Sequence, residues 1–267
     1  MAKTRLDLLL VERGLAESRS KAQAIIMAGQ VRVNGQMVDR VAASFEPGVD
    51  VSVEAGARFV SRGGEKLLAA LEAFSIDVDG LTCADVGAST GGFTDCLLQH
   101  GAEKVYAIDV GKGILHWKLR TDPRVVVMEE TNARNVAALP TPVQFVTCDA
   151  SFISLKILLP VMLGWLPPPF STKMGGVITL IKPQFEAGRV DVARGGGVVR
   201  DPLIHRRVLV DVLSFAEAQG CGVKGLARSP LLGPKGNAEF LAWLVPSEQG
   251  KKIDELVDAV MVQGAIE

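Results

Sequence analysis

The sequence predicts an α/β chain, a doubly wound and mostly parallel sheet preceded by a small N-terminal α+β module. Three observations lead there. Apolar runs at residues 82–86, 105–108, 125–128, 145–148 and 177–181 are short, continuous and rich in Val and Ile, as parallel strands buried on both faces require. Helical stretches separate them, the alternation that builds a doubly wound sheet. The pattern changes near residue 60, where Ala55-Gly-Ala-Arg-Phe-Val-Ser-Arg-Gly-Gly64 carries three glycines and no periodicity, so residues 56–64 read as a linker.

In the N-terminal module, Leu6, Leu9 and Leu10 fall at i, i+3, i+4, and Ala22, Ile25 and Ile26 repeat that spacing after Ser18 as a candidate cap, with Gly29 placed to end the helix. Val31, Val33 and Val38 alternate around Asn34-Gly35, a favoured hairpin dipeptide, and Val49, Val51 and Val53 alternate again. Through Arg40 this segment holds seven basic against four acidic residues, although the whole chain has a net charge of −1. The stretches Arg5-Leu-Asp, Ser18-Arg-Ser-Lys-Ala and Gly29-Gln-Val-Arg-Val-Asn-Gly35 resemble the S4 RNA-binding domain over about residues 1–55. That resemblance implies RNA contacts from Arg5, Arg19, Ser20, Lys21 and Arg32. Independently, Arg19, Ser20 and Lys21 stand in the first turn of a helix, where free N–H groups already favour phosphate. The alternative is a solvated basic face.

Beyond the linker, apolar residues return at helical spacing over 67–74, placing Lys66 near a helix start, where a cation opposes the dipole. The first strand then runs into Asp85-Val-Gly-Ala-Ser-Thr-Gly-Gly-Phe-Thr94. Glycines let backbone approach a ligand, and the helix that follows presents unpaired N–H groups. The G-x-G-x-x-G spacing of dinucleotide oxidoreductases is absent. An acid followed by Gly87, Ser89 and Gly91 at two-residue steps resembles instead the first motif of S-adenosylmethionine (SAM) methyltransferases, with Ser in place of the middle glycine. Asp85, Gly87, Ala88, Ser89, Gly91 and Gly92 are the expected cofactor cradle. Phe93 either touches the ligand or packs on the sheet.

Ligands of such sheets lie at the C-terminal ends of the strands. Asp109 ends the second strand, twenty-two residues after Gly87, about the interval at which a carboxylate takes ribose hydroxyls. Asn132, past the third, is a candidate for the adenine edge or a turn former. Asp149 follows the fourth strand, Lys182 the fifth, and Glu239 opens a last strand at 240–245. With Lys66 they make two positive and two negative charges expected at one rim, which is either a salt-bridged structural cluster or a proton-handling site.

This quartet resembles the K-D-K-E tetrad of FtsJ-like 2′-O-ribose methyltransferases. Its surroundings, Ser61-Arg-Gly-Gly-Glu-Lys66, Cys148-Asp-Ala-Ser-Phe152 and Leu180-Ile-Lys-Pro-Gln-Phe-Glu186, are similar to the TlyA (haemolysin A) family, and with the S4 module the resemblance covers nearly the whole chain. It implies the Rossmann-like class I SAM methyltransferase fold over 65–267 and SAM as cofactor at the cradle, Asp109, Asn132 and Asp149. It implies ribosomal RNA or ribosomal subunits as partner, with Arg62 as a further RNA contact. Lys66, Asp149, Lys182 and Glu239 would then be catalytic, and the family's target would be a cytidine ribose. A 2′-hydroxyl is a poor nucleophile until it loses its proton. A lysine accepts that proton only if its pKa falls from about 10.4 towards neutrality, as burial or a second cation would make it do.

Composition sets the limits. The chain has 267 residues, 48% of them hydrophobic, enough for two domains with proper cores. Cys83, Cys96, Cys148 and Cys221 show no C-x-x-C pairing and read as reduced thiols of a cytoplasmic protein. The longest apolar stretch, 157–170, is broken by prolines and falls short of the roughly 20 residues a membrane span needs. With no export signal at the N-terminus, a haemolytic pore-former is disfavoured. A non-catalytic ribosome factor that keeps SAM as a structural ligand is the other rival. His100, His116 and His205 share no ligand spacing, so no metal is expected. Trp117, Trp165 and Trp243, among aliphatics, read as core. Residues 189–200 form either a basic loop closing on RNA or a plain surface loop.

Overall fold

The fold is that of a computed structural model, which describes residues 3–27, 29–54, 56–167 and 175–263. The chain divides into two units between Arg58 and Phe59.

The first unit runs β1 (Thr4–Arg5), α1 (Leu6–Glu12), α2 (Arg19–Met27), β2 (Val31–Val33), β3 (Gln36–Met37), β4 (Ser44–Phe45) and β5 (Val51–Val53). Asn34 and Gly35 take φ of 51° and 77°, the left-handed pair that a two-residue hairpin turn between β2 and β3 demands. β5 pairs with the other edge of β2, while β1 and β4 form a separate antiparallel pair. The apolar spacing read from the sequence becomes the core: Leu6, Leu9, Leu10, Ala22, Ile26, Val31 and Val33 are buried together. Ser18 Oγ accepts the Lys21 N–H at 3.2 Å, satisfying one of the donors that a helix start leaves without a backbone partner.

One acid ties the two helices. Asp7 is fully buried and accepts from Arg5 Nε at 3.0 Å, Arg19 Nε at 2.9 Å and Gln23 Nε2 at 2.9 Å. The Arg5 bond holds its carboxyl well below the usual range, against the opposing cost of burial.

The second unit begins inside the expected linker. Phe59 is buried, the Val60 N–H bonds Asp95 Oδ2 at 2.8 Å, and α3 (Gly63–Phe74) already includes the last two linker glycines. The remaining elements are β6 (Thr82–Val86), α4 (Gly92–Gln99), β7 (Lys104–Ile108), α5 (Trp117–Arg120), β8 (Val125–Met128), β9 (Phe145–Cys148), α6 (Leu155–Gly164), β10 (Gly176–Ile181), α7 (Pro183–Glu186), α8 (Arg189–Arg194), α9 (Pro202–Ala218), β11 (Cys221–Arg228), β12 (Phe240–Pro246) and α10 (Ile253–Gln263). Of the apolar stretch 157–170, residues 168–170 lie outside those described.

Seven strands lie in the order β11-β12-β10-β9-β6-β7-β8. Burial on both faces explains the unbroken apolar runs: Ile178 and Leu180 of β10 join one core cluster, Val177 and Ile181 the other. From β6 the chain moves out to β7 and β8, then returns to β9 on the opposite side of β6, so the order reverses between β6 and β9. A crevice opens at such a reversal, outside the C-terminal strand ends.

The sequence does not predict β11, because Gly222, Lys224 and Gly225 interrupt its apolar pattern. It pairs antiparallel with β12, and β12 antiparallel with β10. Trp117 is 71% exposed rather than core, Trp165 is buried, and Trp243 is half-buried. Within 189–200, residues Arg189–Arg194 are helical instead of loop, and the side chains of Arg189 and Arg194 are outside those described. The four cysteines are buried free thiols.

Removing the Asp7 carboxylate takes the acceptor from three side chains and from the Leu8 N–H. Asp7→Ala should destabilise the first unit by about 2 kcal/mol in a denaturant titration, a buried charged hydrogen-bond network being worth that order. Because the folded carboxyl sits below its unfolded value, its stabilisation is present above pH about 4 and is lost as the pH falls. The variant should therefore converge on wild type in acid.

Candidate active site

The glycine turn after β6 is shaped by how closely backbones approach. At Gly87, with φ of 79°, a Cβ would stand 2.8 Å from the carbonyl oxygen of Asp149, so the turn packs directly on the end of β9. At Gly92 it would meet Ser61 Oγ at 2.4 Å and the Gly64 nitrogen at 2.8 Å, where α4 crosses the start of α3. Ser89 takes φ of 51° without being glycine, and its N–H donates to Asp109 Oδ2 at 2.8 Å. The other Asp109 oxygen accepts the Gly111 N–H at 2.7 Å.

Two clefts meet at this turn, sharing Gly87, Ser89 and Asp149. One, about 690 Å³, has Asp109, Asn132 and Phe152 on its rim and Val86, Ile108, Ile114 and Leu158 on its walls. The other, about 670 Å³, is lined by Ala88, Gly92, Phe93, Lys66, Arg62 and the 231–236 segment. Phe93 is buried, and it also lines the second cleft. Asn132 is a turn former, its side-chain oxygen capping the Arg134 N–H at 3.2 Å, and the residue lines the first cleft.

Asp85 is a correction. Placed by sequence among the cofactor contacts, it lines neither cleft and is fully buried beneath the turn, accepting from Thr94 Oγ1 at 2.7 Å and Thr147 Oγ1 at 2.9 Å. It still belongs to β6, where α4 and the neighbouring β9 cover it, so Asp85 braces the cradle instead of contacting its contents. Burial pushes its pKa up to about 6, against the two hydroxyl donors.

The four charges converge. Lys66 Nζ lies 2.6 Å from Glu239 Oε2 and 3.8 Å from Asp149 Oδ2. Lys182 Nζ lies 2.5 Å from Asp149 Oδ1 and 3.0 Å from Ser151 Oγ. Asp149 thus bridges two ammonium groups, and a two-plus-two set keeps the site neutral in a setting that would penalise an isolated charge. Glu239 joins them because β12 is antiparallel: its first residue, Phe240, pairs with the last of β10, Ile181, so Glu239 and Lys182 share a rim. A Cβ at Gly233 would fall 2.0 Å from Glu239 Oε1, so the connection between β11 and β12 closes over this acid.

The FtsJ-like methyltransferase family model matches residues 59–245. The chain belongs to that family. The S4 domain model matches residues 4–51. Among relatives, the 16S/23S rRNA (cytidine-2′-O)-methyltransferase TlyA of Mycobacterium tuberculosis is 43% identical over 263 residues, covering 97% of this chain and 96% of that one. Hemolysin A of Brachyspira hyodysenteriae is 43% identical over 249 residues, 90% of this chain and 99% of its own. A solved Streptococcus thermophilus structure assigned as a hemolysin is similar over 100% of both chains, at 40% identity and a TM-score of 0.72.

In this family member, several site residues carry no sequence signal of their own. Ser151 gains a role only where Lys182 folds onto it. Phe152 is 91% exposed at φ of 63°, a left-handed conformation that is costly for a bulky residue, and its ring lies 5.0 Å from that of Phe185. Glu129 accepts from the N–H groups of Gly113, Ile114 and Leu115 at 2.8, 3.0 and 3.1 Å and from Arg120 Nη2 at 2.6 Å. It thereby fixes the 111–116 segment that supplies Ile114 to the first cleft, and the Arg120 bond holds its carboxyl down at about 2. An acid just past an apolar strand is too common to have marked it in advance.

Of the RNA-contact residues expected, Arg62 is exposed on the second cleft, and Ser20 and Lys21 are exposed in the first turn of α2. Arg5 and Arg19 are tied to Asp7, and Arg32 to Glu54.

Glu129→Ala should loosen the 111–116 segment and speed amide hydrogen exchange at Gly113, Ile114 and Leu115 about tenfold, with the melting temperature little changed. Asp85→Asn tests the brace. Its folded pKa is raised, so the stability it lends is complete below pH about 4 and is lost as the pH rises through about 6. Wild type should lose on the order of 2–3 kcal/mol relative to the variant between those limits.

Proposed function

We propose that this chain transfers a methyl group from SAM to the 2′-oxygen of a ribose in ribosomal RNA, and that the target is a cytidine. The observation that carries this reading is the lysine–carboxylate cluster at the junction of the two clefts: Asp149 lines both and Lys66 one, while Lys182 and Glu239 stand buried directly behind them, ion-paired to Asp149 and Lys66. The cytidine rests on the activity named for the Mycobacterium tuberculosis relative.

The cradle fits the cofactor. A backbone turn whose Gly87 leaves no room for a side chain, the Asp109 carboxylate and an apolar-walled cleft of about 690 Å³ suit an adenosine, and the second cleft takes the methionine end and the ribose of the target. When bound, SAM supplies an electrophilic methyl on a sulfonium. What the chain's residues do is align and polarise. Lys182 would direct the 2′-hydroxyl in line with the methyl group and stabilise negative charge on its oxygen; as the O–CH3 bond forms the S–CH3 bond breaks, leaving a neutral thioether, and the hydroxyl proton passes to water in the open cleft. Asp149 and Ser151 hold that ammonium at one point, while Lys66, anchored by Glu239, fixes the second carboxylate oxygen of Asp149. Alignment of the oxygen with the methyl group contributes several kcal/mol more. The exposed ring of Phe152, against the half-buried Phe185 beside Lys182, suits a base face drawn out of its stack.

The first unit, with residues 1–55, supplies the RNA grip. Ser20 and Lys21 are open to phosphate, and the outer faces of Arg5, Arg19 and Arg32 remain for solvent or RNA while their inner nitrogens are paired. Ribosomes as substrate place the protein in the cytoplasm.

The direct assay incubates the protein with labelled SAM and separated ribosomal subunits and maps ribose positions that become resistant to alkaline cleavage. One cytidine per target RNA should gain resistance; label on a base, or none, would refute the reading. Lys182→Ala should lower kcat by about 10²–10⁴-fold, with SAM affinity by calorimetry within about twofold.

A further inference from the structure

A third cavity, about 490 Å³, opens on the second unit between the start of α9, the rim end of β11 and β12, and α10. Its polar lining is unbalanced. Arg200 and Arg228 both face it, and neither guanidinium has an ion-pair or hydrogen-bond partner among the described residues. Arg228 is half-buried, and a charged group so placed is ordinarily paired. The acid in the lining, Asp258, is taken by Arg206, whose Nε stands 3.2 Å from it. Burial, with the Arg228 charge nearby, lowers the pKa of His205, although the bond of Nε2 to the Val199 carbonyl at 2.8 Å and the Asp201 carboxylate work the other way. The rest of the lining is largely apolar, with Phe240, Val260 and Met261.

In sequence the cavity adjoins the site already described. Phe240 lines it, and Glu239 holds Lys66. Arg228, the last residue of β11, faces this cavity, while Lys235, further along the β11–β12 connection, faces the second cleft. Arg62 and Lys235 present positive charge at the second cleft, and Arg228, paired in register with Phe240, presents unpaired charge at the same end of the sheet, with Arg200 beside it.

We infer that this cavity is a second RNA subsite, where Arg200 and Arg228 hold backbone phosphate of the target strand outside the modified nucleotide while the apolar wall accepts a neighbouring base. The inference rests on the proposed RNA substrate and deepens it. Phosphate neutralised by arginine releases counterions, so every phosphate that goes without its arginine lowers the slope of log affinity against log salt by about 0.7–0.9.

The full chain and its Arg200→Ala/Arg228→Ala variant are titrated with purified ribosomal RNA between about 50 and 200 mM salt. The variant should bind about tenfold more weakly and show a salt slope shallower by roughly one to two units, with SAM affinity and melting temperature unchanged. Arg228→Lys should retain most of the slope. In a parallel experiment, a short oligoribonucleotide should shift the His205 ring resonances of wild type but not of the double variant. An unaltered slope together with an unaltered His205 response overturns the subsite. Should the double variant fail to fold, Arg200→Ala alone, at an exposed position, must still show a shallower slope or the inference falls. Wild type that binds RNA with this arginine dependence yet transfers no methyl group would leave the subsite standing and remove the proposed activity.

Discussion

Asp149 carries the constraint on which the second unit depends. Two lysine ammonium groups stand at one largely buried rim, and a single carboxylate reaches both, at 2.5 Å and 3.8 Å. Without that shared counter-charge the two ammonium groups would repel, and Lys182, which has no other acid among the described residues, would bear its desolvation cost alone. The same residue also sets the backbone: its carbonyl fills the space where a side chain at Gly87 would go, so the charge cluster and the glycine turn are fixed by one chain segment. Whatever occupies the cradle and whatever lies beside Lys182 are therefore held at a set distance from each other.

Around that junction, acids brace loops more than they face solvent. Asp109 holds Ser89 and Gly111, Glu129 gathers three successive N–H groups, and Glu186 accepts from Ser154 Oγ at 2.7 Å and the Leu155 N–H at 2.8 Å. Asn237 accepts the Val199 N–H at 3.0 Å and so ties the segment before α9 to the loop before β12. Loops at the strand ends have few apolar contacts to order them, and these bonds substitute for packing. The first unit uses the same device inside its core, where Asp7 orders two arginines whose outer faces stay exposed.

Arg228 contrasts with this pattern. Elsewhere in the second unit guanidinium groups meet carboxylates at the surface, Arg120 with Glu129, Arg124 with Asp122, Arg206 with Asp254 and Arg207 with Asp191. Arg62, Arg134 and Arg200 are exposed, where water serves in place of a counter-charge. A half-buried cation without a carboxylate, on a cavity at the same end of the sheet, is where a ligand's charge would be felt most.

The sequence by itself determined the two-unit plan, the Asn34-Gly35 hairpin, the five parallel strands and the candidate charges at Lys66, Asp149, Lys182 and Glu239. Each of these is written in local chemistry: periodicity, a positive-φ turn, or a polar residue at the end of an apolar run. Tertiary structure alone decided how they meet. β11 is illegible because two glycines and a lysine interrupt it, and only pairing with β12 makes it a strand. The antiparallel pairing of β12 with β10 brings the start of one to the rim where the other ends, which puts Glu239 on Lys66. Asp85 and Asp109 look alike in sequence, each an acid near the end of an apolar run. Only packing separates them: Asp85 lies within β6 under the hydroxyls of Thr94 and Thr147, whereas Asp109 stands just past β7, where the chain has left the sheet and opens onto the cleft.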